Sequence, residues 1–166
     1  MAPRGGELIF ENVYNFVMYF VILFVNTITV ALAIIALQKA LVANINAEQS
    51  FIYIAIGLAF NLAAWVIILG ALGRFVMPAR GSIIGLVLRP LQRWGGAFGL
   101  WLAFALAAAG SSLLTVAAVQ LQNPVANNDV YQYSLLSGAI GIVTSFFLLF
   151  HAVYASRLST SKKYEY

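Results

Sequence analysis

The chain has one histidine, and it stands within an apolar stretch. His151 lies in the run Phe150-His151-Ala152-Val153-Tyr154, and an imidazole can relay protons or serve as an axial ligand of a metal cofactor. A proton relay needs a second titratable group, and no Asp or Glu occurs in the long apolar stretches. Ligation by two histidines of one chain is excluded. We therefore expect a neutral His151 that is hydrogen-bonded to a neighbouring helix.

Two asparagines stand inside the first two apolar stretches, Asn26 in the first and Asn61 in the second. If these stretches are neighbouring antiparallel membrane helices, both amides lie near mid-membrane at similar depth. An amide without water bonds to another helix and fixes the register of the pair. We expect a hydrogen bond between Asn26 and Asn61. The alternative is that the two amides line a path for a polar substrate.

Three hydroxyls on the third apolar stretch invite comparison with a nucleophile site. No general base or orienting acid accompanies Ser111, Ser112 and Thr115, and a serine nucleophile needs both. In apolar helices such hydroxyls usually donate to a carbonyl one turn back. The chain has no cysteine, which excludes thiolate catalysis, iron–sulfur clusters and cysteine zinc sites. We predict that the protein is not an enzyme and carries no cofactor or metal, with lipid as its expected bound molecule.

The composition indicates what surrounds these residues. Of the 166 residues, 63% are hydrophobic and 8% are charged, against about 45–50% and 25% in an average soluble domain. Small folded chains expose much of their surface, and so few charges cannot cover that surface in water. A soluble domain, a disordered chain and a collagen-like chain are excluded. The chain is predicted to be a multi-pass integral membrane protein.

Four apolar stretches have the roughly 20 residues that a helix needs to cross a bilayer. They cover about residues 14–38, 51–76, 95–121 and 135–157. In lipid only a helix or a closed barrel satisfies its backbone polar groups, and these continuous runs lack the alternation of barrel strands. The predicted fold is all-α, with residues 1–166 forming a single transmembrane domain, an antiparallel bundle of four helices.

Basic residues orient this bundle. Arg74, Arg80, Arg89 and Arg93 stand in and beside the connection between the second and third stretches, and the short polar tail, residues 158–166, adds two lysines. The positive-inside rule places both regions in the cytoplasm, and four spans then bring the N-terminus to the same side. The net charge of +4 is thus expected to orient spans, and no nucleic-acid partner is expected.

The connection between the second and third stretches contains an apolar segment of its own. Within residues 79–92, the apolar run 82–88 stands between Pro78 and Pro90 and is flanked by arginines, and it is too short to span a bilayer. We interpret the segment as interfacial, lying in the cytoplasmic leaflet with Arg74, Arg80, Arg89 and Arg93 among lipid headgroups. The alternative is an ordinary loop with a hydrophobic turn.

Small residues recur at the spacing with which membrane helices pack. They stand at every fourth position along one face of the third stretch and one face of the fourth, and such faces let two backbones approach closely. We therefore expect these two helices to pack on each other. The predicted helix-packing residues are Gly95, Gly99, Ala103, Ala107, Ser137, Gly141 and Ser145.

The whole-chain architecture resembles the MARVEL-type four-span proteins of vesicles, junctions and fungal plasma-membrane domains. The resemblance is carried by four short-looped spans with both termini inside, by helices rich in small residues, by the arginine-bearing connection from Arg74 to Arg93, and by a fourth span ending Tyr154-Ala155-Ser156-Arg157. The chain lacks long charged tails and has no cysteines in its third connection. The resemblance implies a role in organising membranes or in association with other membrane proteins.

Three functions remain open on these observations. The first is a non-catalytic structural or assembly component of a larger membrane-embedded complex, acting through helix–helix and lipid contacts. The second is a stand-alone MARVEL-like membrane organiser or trafficking protein. The third is a small transporter or channel, which the lack of charge within the spans disfavours. The expected partners are membrane lipids and either other integral membrane proteins or copies of the same chain.

Overall fold

The computed structural model describes residues 5–45, 48–76, 97–121 and 128–161, and these residues form four α-helices. The helices are α1 (Gly5–Val42), α2 (Gln49–Val76), α3 (Ala97–Leu121) and α4 (Asn128–Ser161). Each helix contains a stretch that is long and apolar enough to cross a membrane, and the prediction of four such helices is confirmed. The four stretches are Val13–Val42, Gln49–Leu72, Phe98–Leu121 and Asn128–Arg157.

α4 extends at both ends beyond the stretch predicted from hydropathy. α4 begins at Asn128, well before the predicted start at residue 135, and its first turn contains Asp129. A carboxylate in the first turn is favourable because it faces the positive end of the helix dipole. α4 also continues to Ser161, so the first part of the predicted polar tail, residues 158–161, is helical. Residues 162–166 lie outside the described part of the chain.

α1 ends in a turn that directs the chain back toward α2. Asn44 adopts a left-handed conformation with φ of 57°, which an asparagine tolerates better than most residues. The amide of Ile45 donates to the carbonyl of Ala40 at 3.2 Å, and the amide of Asn44 donates to the carbonyl of Leu41 at 3.2 Å. This pair of bonds is the Schellman motif. It leaves Ile45 buried at 5% exposure, beneath the end of the helix.

Each helix packs against two others. α3 and α4 make the most extensive contact, as expected from their small residues, followed by α2 with α3, α1 with α4, and α1 with α2. The chain therefore passes around the bundle in sequence order, and the last helix closes against the first.

Two apolar clusters hold the ends of the bundle, and each draws on all four helices. From the N-terminal to the C-terminal end of α1 and of α3, residues of the Leu148 cluster, defined below, come before residues of the Ile54 cluster. Along α2 and α4 the order of the two clusters is reversed. The first, the Leu148 cluster, consists of Tyr19, Ile22, Ala64, Ile68, Ala71, Leu72, Leu100, Ala103, Ala107, Leu148 and Ala152. The second, the Ile54 cluster, consists of Ala33, Ala36, Ala40, Ile45, Ile54, Leu114, Ala117, Leu121 and Val130.

Candidate functional site

Between the two apolar clusters, polar and glycine residues of all four helices meet. The polar side chains here are fully buried, although each of them would be well solvated in water. We call this region the central polar layer. Its members are Gly57, Gly110, Gly138 and Gly141, together with Asn26, Thr29, Asn61, Ser111 and Ser137.

The two asparagines of the layer connect α1 to α2. The side-chain Nδ2 of Asn26 donates to the backbone carbonyl of Asn61 at 3.3 Å. The side-chain Nδ2 of Asn61 donates within its own helix, to the carbonyl of Gly57 at 2.9 Å. A hydrogen bond between the two residues was expected, but only one of the two amides reaches across the helices. Asn26 therefore supplies the side chain that links this pair of helices, and Asn61 supplies a carbonyl.

Gly57 and Gly110 bring the backbones of α2 and α3 into contact. A Cβ atom on Gly57 would lie 2.8 Å from the carbonyl oxygen of Gly110. A Cβ atom on Gly110 would lie 2.7 Å from the carbonyl oxygen of Gly57 and 2.5 Å from Nδ2 of Asn61. Backbone atoms cannot move aside as a flexible side chain can, so both positions exclude any side chain. This contact was not predicted from the sequence. The prediction used small residues spaced four positions apart, and neither glycine has a small residue four positions away.

α4 meets α1 and α3 through its small residues. A Cβ atom on Gly141 would overlap Oγ of Ser111 and would stand 3.0 Å from Cγ2 of Thr29, so three helices converge at this glycine. Ser137 Oγ donates to the backbone carbonyl of Thr29 at 2.8 Å. Gly138 faces α3 in the same way, since a Cβ there would overlap Oγ1 of Thr115. The face of α4 predicted to be a packing face thus lies inside the bundle.

The other predicted helix-packing residues also lie inward where the structure describes them. Ala103 and Ala107 are fully buried in the Leu148 cluster. Ser145 is buried and its Oγ donates to the carbonyl of Gly141 at 2.8 Å, within α4. Gly99 is buried on α3, whereas Gly95 lies outside the described residues.

The hydroxyls of α3 behave as helix hydroxyls. Ser112 Oγ donates to the carbonyl of Ala108 at 2.8 Å, and Thr115 Oγ1 donates to the carbonyl of Ser111 at 2.9 Å. Ser111 Oγ has no hydrogen-bond partner among the described residues, and the same holds for Oδ1 of Asn26 and of Asn61. Amides and hydroxyls do not titrate near neutral pH. These groups can position helices, and none of them holds a titratable proton near neutral pH.

His151 corrects the expectation drawn from the sequence. Its ring is buried, and neither Nδ1 nor Nε2 has a hydrogen-bond partner within the described ranges. The imidazole instead packs edge-on against Tyr19 of α1, with ring centroids 4.7 Å apart and planes at 89°. Tyr14 and Tyr154 lie around it, with centroids at 6.3 Å and 6.4 Å. In place of the expected hydrogen bond, α1 presents the rings of Tyr14 and Tyr19 to the imidazole, and the edge contact with Tyr19 is the nearest.

The opposite end of the α1–α4 contact carries an ion pair. Lys39 Nζ lies 3.1 Å from Oδ2 of Asp129, and the two side chains are 46% and 62% exposed. The sequence assigned no partner to Lys39, since the two residues are 90 positions apart. An exposed pair of this kind contributes between about 0 and 1 kcal/mol. The pair shows that the C-terminal end of α1 lies beside the N-terminal end of α4, but it contributes little to stability.

Two indole groups join helices at the outer surface. Trp65 Nε1 donates to Oγ1 of Thr27 at 2.8 Å, linking α2 to α1. Trp101 Nε1 donates to Oγ of Ser156 at 3.1 Å, linking α3 to α4. Each bond satisfies an indole that would otherwise face an apolar surface. Polar groups on the outside of the bundle are thus also used between helices.

The predicted headgroup arginines lie largely beyond the described residues. Arg74 stands near the end of α2, in the helix but with its side chain outside the description. Arg80, Arg89 and Arg93 fall in the connection between α2 and α3, together with the predicted interfacial segment 79–92. Their assignment to lipid headgroups stays a prediction.

Among the described residues, no group of three or more His, Cys, Asp or Glu side chains could hold a metal ion. No family model, curated protein or solved structure matches this chain.

Proposed function

We propose that this chain is a non-catalytic structural or assembly component of a larger membrane-embedded complex. The observation that carries the proposal is the division between interior and surface. Polar side chains such as Asn26 and Ser137 are fully buried between helices, whereas Phe24, Phe98 and Phe150 are 61%, 72% and 70% exposed. An outer surface of this kind is stable only against lipid or against another apolar protein surface.

We place the helices across the bilayer as an antiparallel bundle. The reversed order of the two apolar clusters along α2 and α4 supports this arrangement. The pairing of Lys39 with Asp129 at one end of the bundle, and of Trp101 with Ser156 at the other, supports it as well. Both termini and the connection between α2 and α3 then lie on one side, which the positive-inside rule assigns to the cytoplasm.

The central polar layer favours a structural role over transport. Each described span is one continuous helix, whereas transporters build their sites from broken helices. The layer is closely packed, because Gly57, Gly110 and Gly141 each leave no room for a methyl group. None of its amides and hydroxyls takes up or releases a proton near neutral pH. The polar groups therefore act on the other helices of the same chain.

The topology is tested by labelling introduced cysteines from one side of sealed vesicles. The chain has no native cysteine, so each variant reports a single position. We expect Ser161→Cys and Asn127→Cys to give opposite accessibility to a membrane-impermeant maleimide. Equal accessibility from one side would contradict the four-span arrangement.

The function is tested by extraction of the full chain in a gentle detergent, followed by native mass analysis. A structural component is expected to carry a discrete set of other membrane proteins in fixed ratio. A homo-oligomer that carries only lipid would contradict this proposal and would support a stand-alone membrane organiser, the role that the MARVEL-type resemblance implies.

A further inference from the structure

The outer surface of α1 and α4 carries a long apolar belt. On α4 the exposed positions between Gln132 and Arg157 hold only leucine, alanine, isoleucine, valine and phenylalanine. These two polar residues, which form the edges of the belt, lie about 37 Å apart along the helix. On α1 the exposed positions between Val13 and Gln38 hold no charged side chain, and they extend over about the same length.

Contacts between helices bring the edges of the belt to common levels. Asn26 of α1 donates to the carbonyl of Asn61 of α2. In the proposed antiparallel bundle, the exposed residues Gln38 and Gln49 each lie about 18 Å from this bond toward the same end. The ion pair between α1 and α4 lies at that end as well. The edge of the belt is therefore level across neighbouring helices.

Aromatic residues that favour the headgroup level lie close to both edges. At one end the rings of Tyr14 and Tyr154 are in contact, with centroids 5.1 Å apart, and the indole of Trp101 bonds to α4 near them. At the other end the hydroxyl of Tyr53 accepts a hydrogen bond from Gln49 at 2.7 Å. Tyrosine and tryptophan concentrate where a membrane helix leaves the hydrocarbon core. Their positions thus support the same two edges.

The belt is longer than the hydrocarbon core of an average bilayer is thick, which is about 30 Å. At the average tilt of membrane helices, about 20°, a belt of about 37 Å still spans about 35 Å. To fit about 30 Å, the whole bundle would have to tilt by nearly 40°, the upper end of the observed range. Such a tilt would draw the polar edge on one side of the bundle into hydrocarbon, because the edges are level.

We infer that the bundle selects a thick bilayer, formed by lipids with long acyl chains and a hydrocarbon core of about 35 Å. In a thinner bilayer either the apolar residues at the edges of the belt meet headgroups and water, or the surrounding lipids must stretch, and both are unfavourable. This inference rests on the proposed placement of the helices across a bilayer, and it requires no partner protein.

The test uses the full chain in vesicles that mix brominated dioleoyl phosphatidylcholine with one unbrominated phosphatidylcholine. The unbrominated lipid is the dimyristoleoyl, the dioleoyl or the dierucoyl form, in order of increasing chain length. Bromine quenches the tryptophans of the chain, so recovered fluorescence gives the relative affinity of each unbrominated lipid for the protein surface. We expect the dierucoyl lipid to bind about threefold more tightly than the dimyristoleoyl lipid, with the dioleoyl lipid between them.

Two double variants test whether the length of the belt sets this preference. Ile34→Asp combined with Leu136→Asp places charges about one turn inside the edge, at positions that are each 51% exposed. This change shortens the belt by about 6 Å, so the dioleoyl lipid should now bind most tightly. Gln38→Asp combined with Gln132→Asp places the same charges at the edge itself, at exposed positions. This control should keep the preference for the dierucoyl lipid.

Three outcomes would overturn the inference. The first is equal affinity of the wild type for the three lipids. The second is tightest binding of the dioleoyl or the dimyristoleoyl lipid by the wild type. The third is an undiminished preference for the dierucoyl lipid in the variant with the shortened belt.

The wild-type series decides the question even where a variant does not fold. If that series fails while Ser161→Cys and Asn127→Cys still report opposite sides, the inference about thickness falls and the four-span placement stands. None of these outcomes bears on co-purification of partner proteins, so the inference and the proposed function fail separately.

Discussion

The middle of the bundle and its two ends are packed by different means. In the central polar layer the helices meet where side chains are missing, as at Gly57 and Gly110, whose backbones touch. In the Leu148 and Ile54 clusters they meet through interlocked leucine, isoleucine and alanine side chains. In a bilayer, where we propose that the bundle lies, no hydrophobic force acts between helices, so close approach and interhelical hydrogen bonds would supply specificity. The layer therefore sets the register, and the clusters add contact area on either side.

If this division is correct, a larger side chain in the central polar layer should lower the free energy of unfolding. Gly141→Leu places a side chain where a Cβ already meets Ser111 and Thr29, and we expect a destabilisation of about 3 kcal/mol or more. Ala139→Leu, two positions away and exposed, serves as the control and should be neutral. The measurement is unfolding of the purified protein in mixed micelles by added denaturing detergent. Equal tolerance of the two leucines would place this face of α4 against lipid.

In the apolar clusters, a smaller side chain should instead lower the free energy of unfolding. Leu148 is fully buried, and Leu148→Ala should destabilise the fold by roughly 2–3 kcal/mol, because it leaves a cavity among all four helices. Leu136→Ala, at a position that is 51% exposed, should change little under the same unfolding assay. If Leu136→Ala lowered the free energy of unfolding as much as Leu148→Ala, the side chain of Leu136 would have to be as buried as that of Leu148.

His151 tests whether the end beside the Leu148 cluster depends on rings or on hydrogen bonds. Since the imidazole contacts Tyr19 by its ring, His151→Phe should preserve stability. His151→Ala should cost about 2 kcal/mol, because the aromatic contact and the buried volume are lost. Thermal aggregation in detergent compares the two variants. A loss of stability in His151→Phe as large as in His151→Ala would point to a polar role of the imidazole.

The amide of Asn26 should contribute less than the glycines around it. Asn26→Leu removes the hydrogen bond to the carbonyl of Asn61, and we expect a destabilisation of about 1 kcal/mol. Ile28→Leu, at an exposed position on the same helix, is the matched control. Unfolding in mixed micelles gives both values. If Asn26→Leu cost as much as Gly141→Leu, the amide and not close approach would dominate the layer.

The Lys39–Asp129 pair should have the smallest effect of all. Both side chains are about half exposed, so a double-mutant cycle with Lys39→Ala and Asp129→Ala should give a coupling of about 0.5 kcal/mol or less. The coupling should fall further as salt is added, since exposed charges are screened. A coupling that is large and independent of salt would show that this end of the bundle is shielded by another molecule.

The existence of the helices could be predicted from the sequence, whereas most of their contacts could not. Continuous apolar runs identify a membrane helix with few alternatives, and the spacing of Ser137, Gly141 and Ser145 identifies an inward face of α4. Periodicity indicates which face is buried, but it does not indicate what that face meets. The contact of Gly57 with Gly110, the rings around His151 and the pairing of Lys39 with Asp129 each join segments distant in sequence. Their positions depend on the register of the assembled bundle, which is set by all four helices together.

The proposed function depends on whether the outward aromatic residues hold other proteins. The deciding measurement is native mass analysis of the gently extracted complex from the wild type and from three variants, Phe24→Ala, Phe98→Ala and Phe150→Ala. These residues are exposed in the isolated chain, so none of the variants should alter its own unfolding. A structural component should carry partner proteins in fixed ratio, and at least one variant should lose them while the chain stays folded. A wild type that carries no partner, or three variants that all retain their partners in full, would contradict the proposal.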